Sequence, residues 1–190
     1  MNIKIGIIIG STRPTRVGKT VTDWFYGQIK DIPDVTFDII DLQQEDLPFL
    51  SEPQSAVTGV YEQEKTKKWS QKIASYDGFI LVTSEYNHGY PAPLKNAIDT
   101  LYHEWSKKPV AFVGYGGLGG GRAIEQLITV IARTGAVPLA APTVNITNVW
   151  SAIDESGNVK QEHIIGDKDK LIDNLVWWAN LLKVGREASK

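Results

Sequence analysis

The chain has 190 residues, of which 20 are basic and 22 acidic, so its formal net charge is −2 at pH 7. This length suits one domain with a sizeable hydrophobic core, and we expect residues 1–190 to form a single domain. Hydrophobic residues make up 42% and charged residues 22% of the chain, which excludes disordered and collagen-like proteins. The near-neutral charge argues against a nucleic-acid-binding protein. The absence of cysteine excludes disulfides, thiol catalysis and thiolate metal sites.

Neither a targeting segment nor a membrane span is predicted. The first residues, MNIK, lead into a short apolar run, whereas a secretory signal needs a basic start and a longer apolar region. No stretch approaches the roughly 20 apolar residues that a membrane-spanning helix requires. We therefore expect a cytoplasmic protein that binds neither membranes nor nucleic acids.

The hydrophobic pattern predicts strands that alternate with helices along the chain. Apolar runs rich in β-branched and aromatic residues predict five strands, at residues 3–9, 35–41, 79–83, 109–115 and 137–146. Helical spacing of apolar residues predicts helices at residues 18–30, 61–76, 94–102, 122–134 and 167–184. Residues 42–59 read as a long irregular segment, and Pro138 and Pro142 favour an edge position for the last strand. Such alternation predicts an α/β domain with a parallel sheet.

Three loops are expected at the carboxyl ends of the strands, where open parallel sheets bind their ligands. They follow Ile9, Thr83 and Tyr115. They are far apart in sequence, but the predicted fold brings them together. All three have an unusual composition, which makes this edge of the sheet the predicted functional site.

The first loop has the composition of a phosphate site. Residues 10–20, GSTRPTRVGKT, supply hydroxyl groups, two arginines and the free N–H groups of a helix start. Residues 13–20 come close to the triphosphate-binding P-loop, but Arg13 stands where that motif needs its first glycine. A site for a single monophosphate fits better. The alternative is a solvated turn whose serine and threonine side chains only cap the helix.

The second loop is suited to hold a flat aromatic ring. Residues 84–93, SEYNHGYPAP, offer tyrosine rings for stacking, together with amide and carboxylate groups for hydrogen bonds to a polar ring edge. The alternative is a proline-rich turn whose tyrosines cover the core. His88 receives no catalytic assignment, because an exposed histidine in a loop is more often only solvated.

The third loop contains a GxGxxG pattern at residues 114–119. The dinucleotide-binding fingerprint also needs an acidic residue at the end of the next strand, and residues 137–146 contain none. The pattern therefore does not predict a Rossmann site. Bare glycine backbone can instead approach a ligand closely from one side.

The chain offers no convincing acid–base or metal constellation. Its three histidines lack metal-ligand spacing, and no GxSxG motif is present. We therefore assign no catalytic side chain and no metal site. A phosphate loop beside an aromatic loop points instead to a bound cofactor that carries the chemistry.

At these positions the sequence resembles the NADPH-dependent FMN reductase family. The matching segments are GSTRPTR at residues 10–16, SEYNHGYPAPLKNAID at residues 84–99 and GYGGLGGGRAIEQ at residues 114–126. The resemblance implies a flavodoxin-like three-layer fold with a five-stranded parallel sheet in the order 2-1-3-4-5. It also implies hydride transfer from NADPH or NADH to FMN. Electrons then pass to a small-molecule acceptor such as free flavin, a quinone, an azo compound or an oxidised metal ion.

The resemblance further implies which residues hold the flavin and how the chain assembles. It assigns the first loop to the FMN phosphate, the second loop to the isoalloxazine ring and the third loop to the third wall of the flavin site. Family members are commonly homodimers or homotetramers, with the helix after the second loop at the subunit contact. Many members have proline where this chain has Ser84, a change that should leave the backbone contacts usable. The implied FMN-binding residues are Ser11, Arg13, Arg16, Val17, Ser84, Glu85, Tyr86, Asn87, Tyr115, Gly116 and Gly117.

Two other functions stay open at this point. One is a flavodoxin-like electron carrier without pyridine-nucleotide activity, although such carriers are usually far more acidic than this chain. The other is a nucleotide-responsive binding module that performs no chemistry. Trp105 and Trp150 follow predicted elements near the ligand side. Core packing is the favoured interpretation for each, and the alternative is that either lines the open face of the flavin across a subunit boundary.

Overall fold

A computed structural model describes residues 2–188 and has an α/β architecture. Within these residues, one sheet contains the strands β1 Ile3–Ile9, β2 Val35–Asp41, β3 Gly78–Ser84, β4 Pro109–Tyr115, β5 Val137–Pro138, β6 Val144–Ile146 and β7 Ile164–Gly166. The α-helices are α1 Gly18–Ile29, α2 Leu42–Glu45, α3 Glu64–Ala74, α4 Ala92–Asp99, α5 Gly121–Arg133, α6 Val149–Ala152 and α7 Lys168–Glu187. None of the helices in this part of the chain is long and apolar enough to cross a membrane.

The strand order is β2-β1-β3-β4-β6-β7, with β5 also paired to β4. The pairs are parallel except for β6 with β7. The flavodoxin-like order 2-1-3-4-5 is confirmed, with β6 in the fifth position. Three details differ from the prediction: the strand expected at residues 137–146 is divided into β5 and β6, β7 is additional, and β6 lies between β4 and β7, so the edge position expected for this strand is wrong for β6. Proline explains the division, because Pro138 and Pro142 have no N–H to donate to a neighbouring strand.

A hydrophobic core lies on each face of the sheet, because helices cover both faces. In β1, the side chains of Ile3, Ile5 and Ile7 belong to the core that α1 and α7 cover. The next side chain in the run, Ile8, belongs to the core beneath α3, α4 and α5. Burial on both faces explains why β1 is a nearly continuous apolar run and does not alternate with polar residues.

Trp105 is part of the second of these cores. Its ring is fully buried, and its centroid lies 4.9 Å from that of Phe79 and 6.4 Å from that of Trp69. Its Nε1–H donates a hydrogen bond of 3.1 Å to the carbonyl oxygen of Ile98. The core interpretation of Trp105 is therefore confirmed.

The segment of residues 42–59 is less irregular than predicted. It begins with the single turn of α2 and ends with a 3₁₀ turn at Ala56–Thr58. The Asn96 side chain on α4 fastens it, since its Nδ2 donates to the Pro48 carbonyl oxygen at 2.8 Å and its Oδ1 accepts from the Leu50 N–H at 2.9 Å. This segment therefore lies against α4, beside the second loop.

At the opposite, amino-terminal edge of the sheet, a buried lysine joins β4 to the end of α3. Lys108 is 5% exposed, and its Nζ donates to the carbonyl oxygens of Ile73 at 2.8 Å and Ala74 at 3.1 Å. Burial, together with the nearby Arg186 guanidinium, lowers the pKa of Lys108 to about 7, against the opposing attraction of Asp77 and Glu104. The folded chain therefore releases this proton more readily than the unfolded chain does.

This shift predicts a pH dependence of stability. Between pH 7 and the ordinary lysine pKa near 10.4, the unfolded chain binds a proton that folded Lys108 has lost, so stability rises with pH. In urea denaturation, the gain in the free energy of unfolding from about pH 7 to about pH 9 should be larger for the wild type than for Lys108→Met. The difference should reach up to about 1.4 kcal/mol per pH unit. Equal gains in the two proteins would contradict the assignment.

Candidate functional site

The strands β1, β3 and β4 end at one edge of the sheet. Ser84 at the end of β3 pairs with Tyr115 at the end of β4, and Ile9 at the end of β1 pairs with Val82. The loops that follow these strands meet there, as the sequence predicted. We call the surface that they form the carboxyl-end site. It consists of the strand-end residues Ser84 and Tyr115 and of the first, second and third loops, which in the structure are residues 10–17, 85–91 and 116–120.

The first and second loops are joined by side chains. The hydroxyl groups of Ser11 and Tyr86 share a hydrogen bond of 2.8 Å. The guanidinium carbon of Arg13 lies 5.9 Å from the centroid of the Tyr86 ring. Burial by itself would raise the pKa of Tyr86, but the hydrogen bond with Ser11 and the nearby Ser84 hydroxyl and Arg13 guanidinium lower it overall. The Tyr86 hydroxyl therefore lies in an electropositive, hydrogen-bonding environment.

The helix that follows the first loop begins without a side-chain cap. Val17 is the N-cap residue of α1, and no side chain of the described residues accepts a hydrogen bond from its first turn. Unpaired N–H groups and the helix dipole both favour an anion at such a terminus. The alternative in which serine and threonine side chains of the first loop cap this helix is therefore wrong.

Arg16 ties the first loop to the end of β2. One terminal nitrogen of its guanidinium forms an ion pair with Asp41, and the other donates to the Gln43 side chain and to the Arg13 carbonyl oxygen. The side chains of Arg16 and Asp41 are only 7% and 6% exposed. The terminal nitrogens that the sequence resemblance gave to the phosphate are thus engaged by protein groups, which fix the shape of the first loop.

The second loop contains a tight turn. Tyr86 and Gly89 exchange backbone hydrogen bonds of 2.8 and 3.0 Å, and Asn87 and His88 between them have φ angles of 51° and 69°. Positive φ at both central residues is the signature of a type I′ turn, in which asparagine is favoured. The Gln126 side chain on α5 donates to the His88 carbonyl oxygen at 2.7 Å. His88 therefore contributes its backbone to the turn, and its side chain makes none of these contacts.

An ion pair joins the second loop to the helix that follows the third loop. Oε1 of Glu85 accepts from the Arg122 guanidinium at 3.0 Å, and Oε2 accepts from the Arg122 backbone N–H at 3.3 Å. The carboxylate therefore lies at the N-terminus of α5, where the helix dipole favours negative charge. Glu85 therefore links the second loop to the start of α5, the helix that follows the third loop.

The third loop needs glycine where it folds back on β4. Gly120 has a φ of +73°, and a Cβ there would lie 2.8 Å from the Tyr115 backbone nitrogen. The Asn145 side chain on β6 donates to the Gly119 carbonyl oxygen at 2.8 Å. The glycine run therefore makes a compact turn with little side-chain bulk over the end of β4.

Trp150 lies at the outer side of the third loop. A Cβ added at Gly117 would lie 3.6 Å from the nearest atom of the indole ring. Trp150 is 80% exposed, so the core interpretation of this residue is wrong. The four-residue helix α6 buries Val149 and Ala152 and turns Trp150 outward.

Three buried side-chain atoms of the carboxyl-end site have no hydrogen-bond partner among the described residues. They are Nε of Arg16, Oγ of Ser84 and the hydroxyl of Tyr115. Burial raises the pKa of Tyr115 to about 12, although the nearby Ser84 and Ser11 hydroxyls oppose the rise. Leaving a buried polar group unpaired costs about 1–3 kcal/mol, so a hydrogen bond from a bound molecule to any of these three atoms would be favourable. No group of three or more metal-ligating side chains was found within residues 2–188.

Sequence reasoning missed several residues that support this site. Asp41 and Gln43 hold Arg16, and Arg122 holds Glu85. A signal existed for Asp41, because it ends β2 and therefore lies at the same edge of the sheet. Arg122 lies within the segment of residues 114–126 that resembles the family, but nothing local marks its pairing with Glu85, which is distant in the chain. Nothing in the local sequence marks Gln43.

The close approach of α1 to the end of β4 predicts unequal effects for two alanine substitutions in α1. A Cβ at Gly18 would overlap the Tyr115 hydroxyl oxygen and lie 3.1 Å from its Cζ, whereas a Cβ at Gly27 has no atom within 4 Å. Gly18→Ala should therefore lower the free energy of unfolding by about 1–3 kcal/mol. Gly27→Ala should raise it by about 0.5–1 kcal/mol, because alanine is the better helix former.

The double variant Gly18→Ala/Tyr115→Phe provides the matched test of that contact. Removing the hydroxyl that overlaps the new Cβ should recover part of the stability lost in Gly18→Ala. Thermal or urea unfolding of all four proteins measures these differences. If the double variant is as unstable as the sum of its single variants, Gly18 and Tyr115 are not in contact.

With this geometry in place, comparisons with known proteins identify the family. A family model for NADPH-dependent FMN reductase matches residues 3–151. The chain is 46% identical over 126 residues to an NAD(P)H-dependent FMN reductase of Schizosaccharomyces pombe, covering 65% of this chain and 63% of that protein. It is 29% identical over 185 residues to a 2-hydroxy-1,4-benzoquinone reductase of a Burkholderia species, covering 94% of this chain and 97% of that protein.

A solved structure shares the fold. FerB, a flavoenzyme NAD(P)H:(acceptor) oxidoreductase from Paracoccus denitrificans, superimposes with a TM-score of 0.71 at 21% sequence identity. The match covers 95% of this chain and 97% of that chain. At this identity the likeness supports the flavodoxin-like fold. The family model, in contrast, matches most of the sequence, and the chain belongs to the NADPH-dependent FMN reductase family.

Proposed function

We propose that this chain is an FMN-dependent NAD(P)H oxidoreductase that acts as a single FMN-binding domain. When bound, FMN accepts a hydride from NADPH or NADH and passes electrons to a small-molecule acceptor. The observation that carries the proposal is the set of buried, unpartnered polar atoms in the carboxyl-end site, Arg16 Nε, Ser84 Oγ and the Tyr115 hydroxyl. They belong to the segments in which the family matches this sequence.

The first loop is proposed to hold the FMN phosphate. The Ser11 hydroxyl, the exposed Arg13 guanidinium and the N–H groups that follow Val17 supply hydrogen bonds and positive charge. Arg16 contributes its Nε, while its terminal nitrogens keep the loop in shape through Asp41.

The second and third loops are proposed to hold the isoalloxazine ring. The tight turn at Tyr86 and Asn87 presents backbone and ring surface, and the backbone of Gly116 and Gly117 presents little bulk on the other side. Glu85 holds the two loops together through Arg122. The list of residues proposed to contact the ring is Ser84, Glu85, Tyr86, Asn87, Tyr115, Gly116 and Gly117.

Hydroxyl groups are proposed to bind the polar edge of the flavin. Because burial raises the pKa of Tyr115 to about 12, its hydroxyl keeps its proton near neutral pH and can donate a hydrogen bond. The Ser84 hydroxyl is buried beside it and can donate or accept. No acid–base side chain is assigned to the hydride transfer itself, because the cofactor supplies that chemistry.

The proposed acceptors are small molecules of the classes that the family reduces, namely free flavin, quinones, azo compounds and oxidised metal ions. A relative that spans almost this whole chain is named a benzoquinone reductase, which favours the quinone class. An electron carrier is the competing function, but a net charge of −2 gives little electrostatic steering toward a protein partner.

The experiment is anaerobic absorption spectroscopy of the purified protein loaded with FMN and freed of excess. Flavin bands near about 450 nm should be retained and should bleach when NADPH or NADH is added. Bands that persist with both donors would support the electron carrier. Failure to bind FMN even at high concentration would refute the proposed cofactor.

Arg13 provides the residue-level test of the phosphate site. Arg13→Ala should weaken FMN binding by about 1.5–3 kcal/mol, or roughly 10–150-fold in Kd, because it removes a charge-assisted phosphate contact. Fluorescence titration of FMN measures the effect. Lys19→Ala is the matched control, since Lys19 is an exposed cation of the same region that is already paired with Asp23. Equal FMN affinity in wild type and Arg13→Ala removes Arg13 from the site.

We also propose that the chain forms a homodimer or homotetramer through the face that carries α4. Four large exposed apolar side chains lie in, or directly after, the segment of residues 42–59 that packs against this helix: Phe49, Leu50, Val57 and Val60. A groove of about 650 Å³ lies between this segment, α4 and α5.

Use of NAD(P)H, a coenzyme of central metabolism, favours the cytoplasm as the location.

The dimer face has its own test. The double variant Leu50→Glu/Val57→Glu places two charges on this apolar surface and should lower the mass of the assembly in light scattering, from dimer to monomer or from tetramer to a smaller species. Leu181→Glu is the control, because Leu181 is similarly exposed but lies on α7. Unchanged mass in the double variant would exclude this face as the contact.

A further inference from the structure

Trp150 is an exposed aromatic side chain on a rigid support. Of its side chain and backbone together, 80% is exposed, while Val149 and Ala152 on the same short helix are buried. The Lys160 backbone N–H donates to the Ala152 carbonyl oxygen at 2.8 Å, and the Lys160 Nζ donates to the Ser151 carbonyl oxygen at 2.9 Å. These two hydrogen bonds from Lys160 therefore hold the C-terminal part of the short helix that carries the indole ring.

The same helix is fixed to the third loop of the carboxyl-end site. The Asn148 N–H donates to the Gly117 carbonyl oxygen at 3.2 Å, and the Val149 N–H donates to the Gly116 carbonyl oxygen at 3.3 Å. In return, the Gly116 N–H donates to the Ile146 carbonyl oxygen at 3.2 Å. The position of Trp150 relative to the proposed flavin-binding backbone is thus set by hydrogen bonds on both sides of the third loop.

The indole ring borders the site and lies on its solvent side. Its nearest atom is 3.6 Å from where a Cβ of Gly117 would be, and a Cβ of Gly116 would be 3.8 Å from Glu85. Trp150 therefore lies next to Gly117 of the third loop, and the adjacent Gly116 faces Glu85 of the second loop. Single exposed apolar residues are common on proteins, but this one is large, rigidly supported and adjacent to the backbone proposed to hold the cofactor.

We propose that Trp150 forms a wall of the acceptor site and stacks against planar acceptors of the quinone class. This inference rests on the proposed function. A quinone ring is flat and electron-poor, whereas indole is flat and electron-rich, so offset stacking between them is favourable. Trp150 is thereby a specificity-determining residue: it selects flat, conjugated acceptors over acceptors that have no ring.

The test compares FMN-loaded wild type, Trp150→Ala, Trp150→Phe and Trp177→Ala, the last being an exposed tryptophan on α7. The KM for 1,4-naphthoquinone and the KM for ferricyanide, which has no ring, are measured with saturating NADPH. The Kd of 1,4-naphthoquinone for the oxidised protein is measured by calorimetry without any NADPH. FMN affinity is measured by fluorescence titration for all four proteins.

Trp150→Ala should raise both the KM and the Kd for 1,4-naphthoquinone about ten-fold. Its KM for ferricyanide and its FMN affinity should stay within about two-fold of wild type, because neither ligand is proposed to stack against the indole ring. Trp150→Phe should recover most of the naphthoquinone affinity, because phenylalanine keeps a stacking face. Trp177→Ala should match wild type in all four measurements.

Other outcomes overturn the assignment in distinguishable ways. Unchanged naphthoquinone KM and Kd in Trp150→Ala, with FMN bound and reduced by NADPH, would refute the role of Trp150 and leave the proposed function intact. Weakened FMN binding in Trp150→Ala would place the ring against the cofactor and not the acceptor. Failure of the wild type to bind FMN would overturn the proposed function and this inference together.

Discussion

The parallel pairing of β1, β3 and β4 is the constraint on which the rest of the structure depends. Because these strands run in the same direction, their carboxyl ends lie together, and Ser84 and Tyr115 become direct neighbours across the sheet. Loops that are separated by many residues in the chain therefore form one surface. The helices that return the chain between these strands bury both faces of the sheet, so this edge is where polar chemistry can be concentrated.

That concentration is visible in how the polar groups are distributed. The strands themselves are apolar, while buried hydroxyl and guanidinium groups gather where β1, β3 and β4 end. Some of these groups satisfy one another, as Arg16 and Asp41 do, and so give the loops their shape. Others have no hydrogen-bond partner among the described residues. The division follows from the cost of burying polar groups, since each one must be paired either within the protein or with what the protein binds.

The loops also differ in how they are held. The first is anchored by an ion pair to β2, the second by a tight turn and the Glu85–Arg122 pair, and the third by hydrogen bonds from the segment that follows β6. Three kinds of attachment give a site that is largely preformed before it binds anything. Preorganisation of this kind lowers the entropy that binding must otherwise overcome. It also carries Trp150 to the rim of the site as a consequence of the same hydrogen bonds.

The sequence by itself determined the α/β class, the succession of the main strands and helices, and the three loops that form the site. It could do so because apolar periodicity and glycine or proline positions are local signals, and because parallel strands place their ends together. The strand order 2-1-3-4-5 came from the family resemblance, which rests on segments of these same loops. Pro138 and Pro142 already indicated an interruption of the last predicted strand, whereas the sequence alone did not predict β7.

Only the tertiary structure decided which side chains those loops engage. The family resemblance assigns Arg16 to the FMN phosphate, yet the structure shows its terminal nitrogens on Asp41 and Gln43, partners that lie on another strand and helix. Trp105 and Trp150 looked alike in sequence, and one is buried between aromatic rings while the other is exposed beside Gly117. Contacts of this kind depend on the packing of residues that are distant in the chain, and no local pattern encodes them.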